Sequence, residues 1–380
     1  MADIKTNLRE LSVALSIGLL INKQEEIRQD DLFRGERFFY LASKFIDTDI
    51  SSAASISNIK EFSPDLIEIV KNGTRLGKEI YSTPYFKFNN SDCIKWVGYD
   101  TQKGDPIDLI VGHYKFSLKE DSFILKNMGL YELLNILTGS NYSKGKIHVF
   151  NDFSKTKYDD WFNLTWTALI KALKNADRNI IINNGLSEIC LDKLNNVVFQ
   201  FSNKISVIPS NIQTNEEFMK FTNSTTREKV FSKWINEYFS NNDEYITLKK
   251  SCAEEAGQKI CRYISQNLKE QNLYKFLQIL DFEYYYAKTT DKEILVYKIP
   301  SKEDFDRNIS FEECHYEIPE SQLNIITTLR NLQTNSKLTF RNECRFSHGQ
   351  FNGSPEAKMY VRKKTPLSDI YQPIIKIKVC

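Results

Sequence analysis

Asp108 and Lys119 are the residues whose types and spacing point most directly to chemistry. Asp108 opens the run Asp108-Leu109-Ile110-Val111 after the turn residues Gly104-Asp105-Pro106, and Lys119 closes Tyr114-Lys115-Phe116-Ser117-Leu118-Lys119 beyond Gly112. Both runs read as short strands. A period of two sends Tyr114, Phe116 and Leu118 to one face and Lys115, Ser117 and Lys119 to the other, so Ser117 and Lys119 point the same way as an adjacent Asp108. Phosphodiester hydrolysis needs charge neutralised at the scissile phosphate and a water made more acidic. A carboxylate able to hold Mg²⁺, with a lysine beside it to orient that water, is suited to both tasks. The plainer alternative is a polar hairpin on a surface sheet, since an aspartate and a lysine eleven residues apart arise by chance in many α/β proteins.

A second dense polar stretch runs from Arg341 to Ser354. Leu338, Phe340, Cys344 and Phe346 alternate with Arg341, Glu343 and Arg345, so a strand would present the three charged groups together. Arginine reads guanine in bidentate fashion and Asn or Gln reads adenine, which makes Arg341, Arg345, Gln350 and Asn352 candidates for base contacts. Lys358, Arg362, Lys363 and Lys364 suit phosphate contacts, which position a protein without specifying sequence. The competing reading is a salt-bridged ladder, Arg341-Glu343-Arg345, ending in a glycine-rich turn.

The stretch from Asp108 to Ser122 resembles the core of the PD-(D/E)XK nucleases, the superfamily that includes most type II restriction endonucleases. The resemblance covers roughly residues 90 to 140 and implies a restriction-endonuclease-like mixed sheet core flanked by helices. It makes Asp108 the first Mg²⁺ ligand, Lys119 the catalytic lysine and the carbonyl of Leu118 a further ligand. Ser117 departs from the pattern, because it stands where the second carboxylate belongs and cannot supply negative charge to a hard dication. In some Ser-x-Lys restriction enzymes that carboxylate comes from the following helix. Glu132, thirteen positions after Lys119 in a predicted helix, is therefore the first candidate. Glu10 ranks close to it, on an N-terminal helix of the kind that often lends a metal-binding glutamate in this superfamily, and Glu120 ranks third. The implied activity is Mg²⁺-dependent cleavage of double-stranded DNA at a specific sequence by a homodimer. The alternatives are a repair or phage-defence nuclease of low specificity, and a non-catalytic DNA-binding module.

These residues must be positioned by elements that the sequence outlines. Leu8, Leu11, Leu15 and Leu19 recur at helical spacing after Thr6-Asn7, so the chain opens on an amphipathic helix whose polar face would carry Arg9, Glu10 and Ser16. A second helix is expected near residues 32–45, a loop over 47–60 and a small sheet from Ile94. Residues 130–137 and 161–173 return to helical spacing, which gives an α/β succession. Beyond Ile180 come strand-like runs, then a mostly helical region with Phe231, Trp234, Ile235, Tyr238 and Phe239 as one apolar stripe. Residues 284–297 read as a hairpin, and strands close the chain. The division expected is a catalytic domain over 1–180 and a target-recognition region over 181–380.

Composition limits the rest. Of 380 residues, 41% are hydrophobic, and 51 Lys and Arg face 49 Asp and Glu for a net charge of +2, which excludes collagen-like and disordered classes. The total conceals an acidic stretch from Glu303 to Glu320 and a basic one from Arg330 to Lys378. Seven cysteines without a C-x-x-C pair favour reduced thiols and a cytoplasmic protein, and Cys344 with His348 lacks the paired knuckles of a zinc site. Leu11–Ile21 is too short and too interrupted for a membrane span, and the N-terminus lacks a signal-peptide pattern. His113 lies between Asp108 and Lys119 and reads first as a turn or packing residue. The absence of a Walker loop, a G-x-G-x-x-G turn and a G-x-S-x-G elbow argues against a nucleotide cofactor and a serine hydrolase.

Overall fold

The computed structural model describes residues 4–24, 29–47, 59–98, 106–119, 124–142, 149–290, 292–346, 348–353, 355–362, 365 and 367–378. Helices α1 (Ile4–Ile21), α2 (Gly35–Phe45) and α3 (Pro64–Ser82) precede the strands β1 (Ile94–Trp96), β2 (Leu109–Val111), β3 (Tyr114–Lys119) and β4 (Ile124–Gly129). Helices α4 (Leu130–Thr138) and α5 (Val149–Asn175) lead to β5 (Asn179–Ile182), β6 (Ser187–Leu191), β7 (Val197–Phe201) and β8 (Lys204–Ile208). A helical region holds α6 (Asn215–Phe221), α7 (Ser224–Thr226), α8 (Ser232–Trp234), α9 (Asp243–Asn267) and α10 (Leu273–Phe276). Then come β9 (Tyr284–Thr289), β10 (Glu293–Ile299), α11 (Lys302–Asn308), β11 (Ile309–Glu317), β12 (Asn324–Asn331), β13 (Lys337–Arg345), β14 (Glu356–Val361) and β15 (Gln372–Lys378).

The first sheet has the order β1-β2-β3-β9-β10-β15 and is mixed. Its first three strands form an antiparallel meander, β9 pairs parallel to β3, and β10 pairs antiparallel to β9 and β15. A parallel neighbour requires a crossover. Here residues 120–283 intervene, and they contain the third sheet, β5-β6-β7-β8, and the helices packed on it. The second sheet, β11-β12-β13-β14-β4, recruits β4 from the N-terminal half. The expected boundary at residue 180 is therefore not a boundary between sheets: β9, β10 and β15 complete the sheet of Asp108, and β4 leaves it. Strand periodicity specifies faces but not partners, so this interleaving is invisible in a linear reading. The α/β class, the mixed sheet flanked by helices and the helical C-terminal region ending in strands are all present.

Two cores result. One face of the first sheet, with Trp96, Leu109, Phe116, Leu118, Ala287 and Val296, packs under α1, α2 and α3. The other core gathers α4, α5, α9, the second sheet and the third. Helix α3 begins where Ser63 accepts the Leu66 N–H at 3.4 Å with Pro64 at its first position, a favourable start. Helix α1 lacks the exposed polar face expected of it, because Arg9, Glu10 and Ser16 are 5%, 3% and 3% exposed. Being covered by α3 as well as by the sheet, it must satisfy its polar groups internally, and the Ser16 hydroxyl donates to the Thr74 carbonyl at 2.9 Å. The predicted aromatic stripe breaks at Tyr238, which is 61% exposed while Phe231, Trp234 and Ile235 are buried. Residues Ile235–Phe239 form a π-helical turn, whose wider hydrogen-bond spacing rotates Tyr238 off the apolar face.

No helix among the described residues is long and apolar enough to cross a membrane. The described cysteines are free thiols.

Close approach of α1 and α3 depends on Gly73, where a Cβ would meet the Arg9 carbonyl oxygen and the Ser12 Cβ at 2.7 Å each. Gly73→Ala in an unencumbered helix would stabilise by roughly 0.5–1 kcal/mol. Here it must push α1 off α3, and we expect a net loss of about 1–3 kcal/mol, measurable as a lower thermal midpoint. A raised midpoint would show that the two helices are not in contact there.

Candidate active site

Asp108 sits just ahead of β2, fixed at its main chain from both sides. Its N–H donates to the Phe116 carbonyl at 2.8 Å, and its carbonyl accepts the Val97 and Gly98 N–H groups at 2.9 and 3.1 Å. Two donors converging on one carbonyl hold the residue where β1 and β3 meet it. The side chain is fixed too: Oδ2 accepts the Leu118 N–H at 2.7 Å and faces the Lys119 ammonium at 3.4 Å. Both side chains retain access to solvent, at 15% for Asp108 and 28% for Lys119. The hairpin expected from the sequence thus brings the two together.

The carboxylate that joins them comes from α1. Glu10 is 3% exposed, and its Oε2 accepts the Trp96 indole N–H at 2.8 Å. Gly98 makes room for it, because a Cβ there would lie 2.1 Å from that same oxygen. Burial, first, and the charge of Asp108, second, push the Glu10 carboxyl up to about 8, against the opposing pull of the Trp96 hydrogen bond, Lys119 and Arg9. A buried carboxyl whose proton affinity is raised beside a second carboxylate is part of a donor set that a dication would relieve. Glu10 and Asp108 therefore fit a hard, oxygen-preferring ion such as Mg²⁺. Among the described residues, no group of three or more His, Cys, Asp or Glu side chains is gathered for a metal. Any such site here would have two carboxylates, with main-chain or water oxygens making up the rest.

The other predicted site residues are distributed as follows. Ser117 is 1% exposed, between Phe116 and Leu118, whose side chains fill the core. Leu118 serves through its main chain, its N–H on Asp108. Glu132 is exposed on α4, a helix whose apolar side enters the other core. Helix α4 follows β4, and β4 belongs to the second sheet. Glu120 lies outside the described residues. His113 occupies the β2–β3 turn, opposite the Asp108 end of the hairpin, with its ring 3.9 Å from that of Tyr114.

The candidate DNA contacts are largely engaged within the chain. Arg362 makes a bidentate pair with Glu317 at 3.0 Å for each bond, and Lys358 pairs with Glu356 at 3.6 Å. The Asn352 side-chain oxygen accepts from Arg227 at 2.8 Å, and the Gln350 main-chain carbonyl accepts from Ser232 at 3.3 Å while the Gln350 side-chain oxygen is buried without a hydrogen-bond partner among the described residues. Arg341 lies over the Tyr360 ring at 4.7 Å, while Arg345 is exposed at the end of β13. Lys363 and Lys364 lie outside the described residues. The acidic stretch and the basic tail neutralise one another across the second sheet: besides Glu317 with Arg362, Glu312 pairs with Arg330 at 2.8 Å and with Lys337 at 2.6 Å.

Sequence reasoning missed Trp96 and Gly98. Their strand was legible, and a buried indole needs an acceptor, yet nothing local ties Trp96 to a glutamate 86 residues earlier.

The raised Glu10 carboxyl makes stability pH-dependent. An unfolded glutamate ionises near 4.5 and the folded one near 8. The stability that goes with the protonated form is thus complete below about 4.5 and lost as pH rises through about 8. Glu10→Gln, which keeps an acceptor for Trp96, should match the parent protein in denaturant midpoint near pH 4.5. At pH 9 in EDTA it should exceed the parent by a few kcal/mol at most. A gap independent of pH would mean that Glu10 is not held as the buried acid described.

No family model, curated protein or solved structure matches this chain, so its function is read from the geometry of these residues.

Proposed function

We propose that this chain is a Mg²⁺-dependent endonuclease that hydrolyses phosphodiester bonds of double-stranded DNA, a type II restriction enzyme related to the PD-(D/E)XK nucleases. One observation carries the reading: Asp108, Lys119 and Glu10, from three separate segments, converge at one end of a mixed sheet. Lysine and two carboxylates are the residue types that metal-assisted phosphoryl chemistry uses. Glu10 takes the place proposed for the displaced carboxylate, ahead of Glu132.

In this reading Asp108, Glu10 and the Leu118 carbonyl would hold Mg²⁺. When bound, the ion would neutralise phosphate charge and lower the pKa of an attacking water. The chain's own groups do the positioning. The Leu118 N–H fixes Asp108 Oδ2 at 2.7 Å, which leaves the carboxylate little freedom to rotate away. The Lys119 ammonium, at 3.4 Å from the same oxygen, can orient a water while donating to a phosphate oxygen. Water oxygen bonds to phosphorus as the water gives up a proton to solvent, the ester P–O bond breaks, and the departing oxygen takes a proton from solvent. A cytoplasmic setting and a homodimer belong to the same proposal, the homodimer through the two-fold symmetry of duplex DNA sites.

A second reading is favoured by a specific observation. Arg362 and Asn352, put forward for DNA contacts, are held by Glu317 and Arg227. That suits a nuclease of repair or phage defence with little sequence preference.

Incubating the purified protein with unmethylated plasmid and Mg²⁺ separates the possibilities. Discrete fragments support the restriction enzyme and a smear the unspecific nuclease, and Lys119→Ala should lower either rate by at least about 10²-fold. Plasmid left intact by the parent protein, or cut equally well by the variant, contradicts the assignment.

A further inference from the structure

The last strand returns two lysines of the basic tail to the sheet of Asp108. In β15, Lys378 lies opposite Glu293 and Lys376 opposite Leu295. Leu295 in turn lies opposite Lys288, and Lys288 lies opposite Lys119 in the parallel pair. Directly opposed residues project to the same face of a sheet. Lys119, Lys288, Lys376 and Lys378 therefore share one face, the opposite one from Leu118, Ala287, Val296 and Ile375, which are buried under the N-terminal helices. Glu293 is the acidic interruption, and it is taken up by Lys288, which is 4% exposed and pairs with it at 3.6 Å. Lys376 and Lys378 are exposed, and among the described residues neither has an ion-pair partner. Four other tail cations contrast with this, since Arg330, Lys337, Lys358 and Arg362 are neutralised by carboxylates, while Arg345 is exposed at the end of β13 on the second sheet.

We infer that Lys376 and Lys378 bind the phosphate backbone of a nucleic-acid duplex at the exposed β15 edge of the sheet, on the face that also carries Lys119 and separated from it by the covered Lys288. The inference rests on the proposed nuclease reading and names the surface that presents the substrate to it. Three interstrand steps of about 4.8 Å separate β3 from β15, about 14 Å in all. A strand of duplex DNA rises about 3.4 Å per phosphate, so this span matches about four phosphates. Charge complementarity fixes the class of partner: unneutralised cations in line with a lysine–aspartate pair suit a polyanion that runs across the sheet edge. Lysines on an edge strand also discourage edge-to-edge aggregation, and the experiment separates the two roles.

The full chain is titrated in EDTA against a fluorescent 30-base-pair duplex at several salt concentrations, and affinity is read by anisotropy. For Lys376→Ala/Lys378→Ala we expect affinity to fall about tenfold and the slope of log K against log salt to shrink by about 2, the loss of two phosphate contacts. Lys376→Arg/Lys378→Arg, which keeps the charges, should retain the slope. A parent protein that does not bind the duplex overturns the inference. So does an alanine pair with unchanged affinity and slope, including one that merely aggregates. Binding that behaves as expected in a protein that cuts nothing with Mg²⁺ defeats the nuclease reading and leaves the phosphate surface standing.

Discussion

Burying Glu10 beside Asp108 is the constraint on which the rest of the structure depends. A carboxylate removed from water next to another of like charge is unfavourable by several kcal/mol when ionised, and the carboxyl responds by holding its proton up to about pH 8. The surroundings are arranged to bear this. Trp96 gives it an indole N–H, Gly98 withholds a side chain from its oxygen, and Lys119 and Arg9 supply positive charge. Arg9 is its neighbour on α1, but Trp96, Gly98 and Lys119 are brought to it because α1 is clamped between α3 and the sheet, with Gly73 allowing the close approach.

Asp108 is held by the opposite strategy, main-chain hydrogen bonds rather than burial. Val97, Gly98 and Leu118 all donate to it, so its position follows from the pairing of β1, β2 and β3. A rigid, solvent-accessible carboxylate against a buried, protonated one is an asymmetric pair, and the asymmetry matters to the proposed chemistry. Under that proposal the accessible group would meet a cation first, and the buried group would give up its proton only to a charge large enough to replace it.

The sequence carried the Asp108–Lys119 hairpin because its information is local: alternation within six residues and turn residues on either side define both strands and the shared face. The hairpin of β9 and β10 was legible for the same reason. Glu10 was visible only as one of three possible carboxylates, since choosing among them requires knowing which helix covers the end of the sheet. Ranking Glu132 first took no account of β4, whose run Ile124-Leu125-Lys126-Asn127-Met128-Gly129 does not alternate and which pairs with β14 across more than two hundred residues. Another long-range pairing places β15 against β10, so the basic tail divides between the second sheet, where Arg330, Lys337, Lys358 and Arg362 meet carboxylates, and the first, where Lys376 and Lys378 meet none among the described residues. Charge counted along the chain cannot distinguish these fates, because ion pairing is decided by cross-strand neighbours.

The central claim is that Asp108 and Glu10 together hold a divalent cation beside Lys119, and the most direct measurement is a crystal grown or soaked with Mn²⁺ in place of Mg²⁺ and examined at the manganese absorption edge. The account predicts an anomalous peak bridging carboxylate oxygens of Asp108 and Glu10 at about 2.1–2.3 Å, absent from crystals of Asp108→Asn. Manganese bound elsewhere on the chain, with the Glu10–Trp96 hydrogen bond undisturbed and no peak at Asp108, would contradict it.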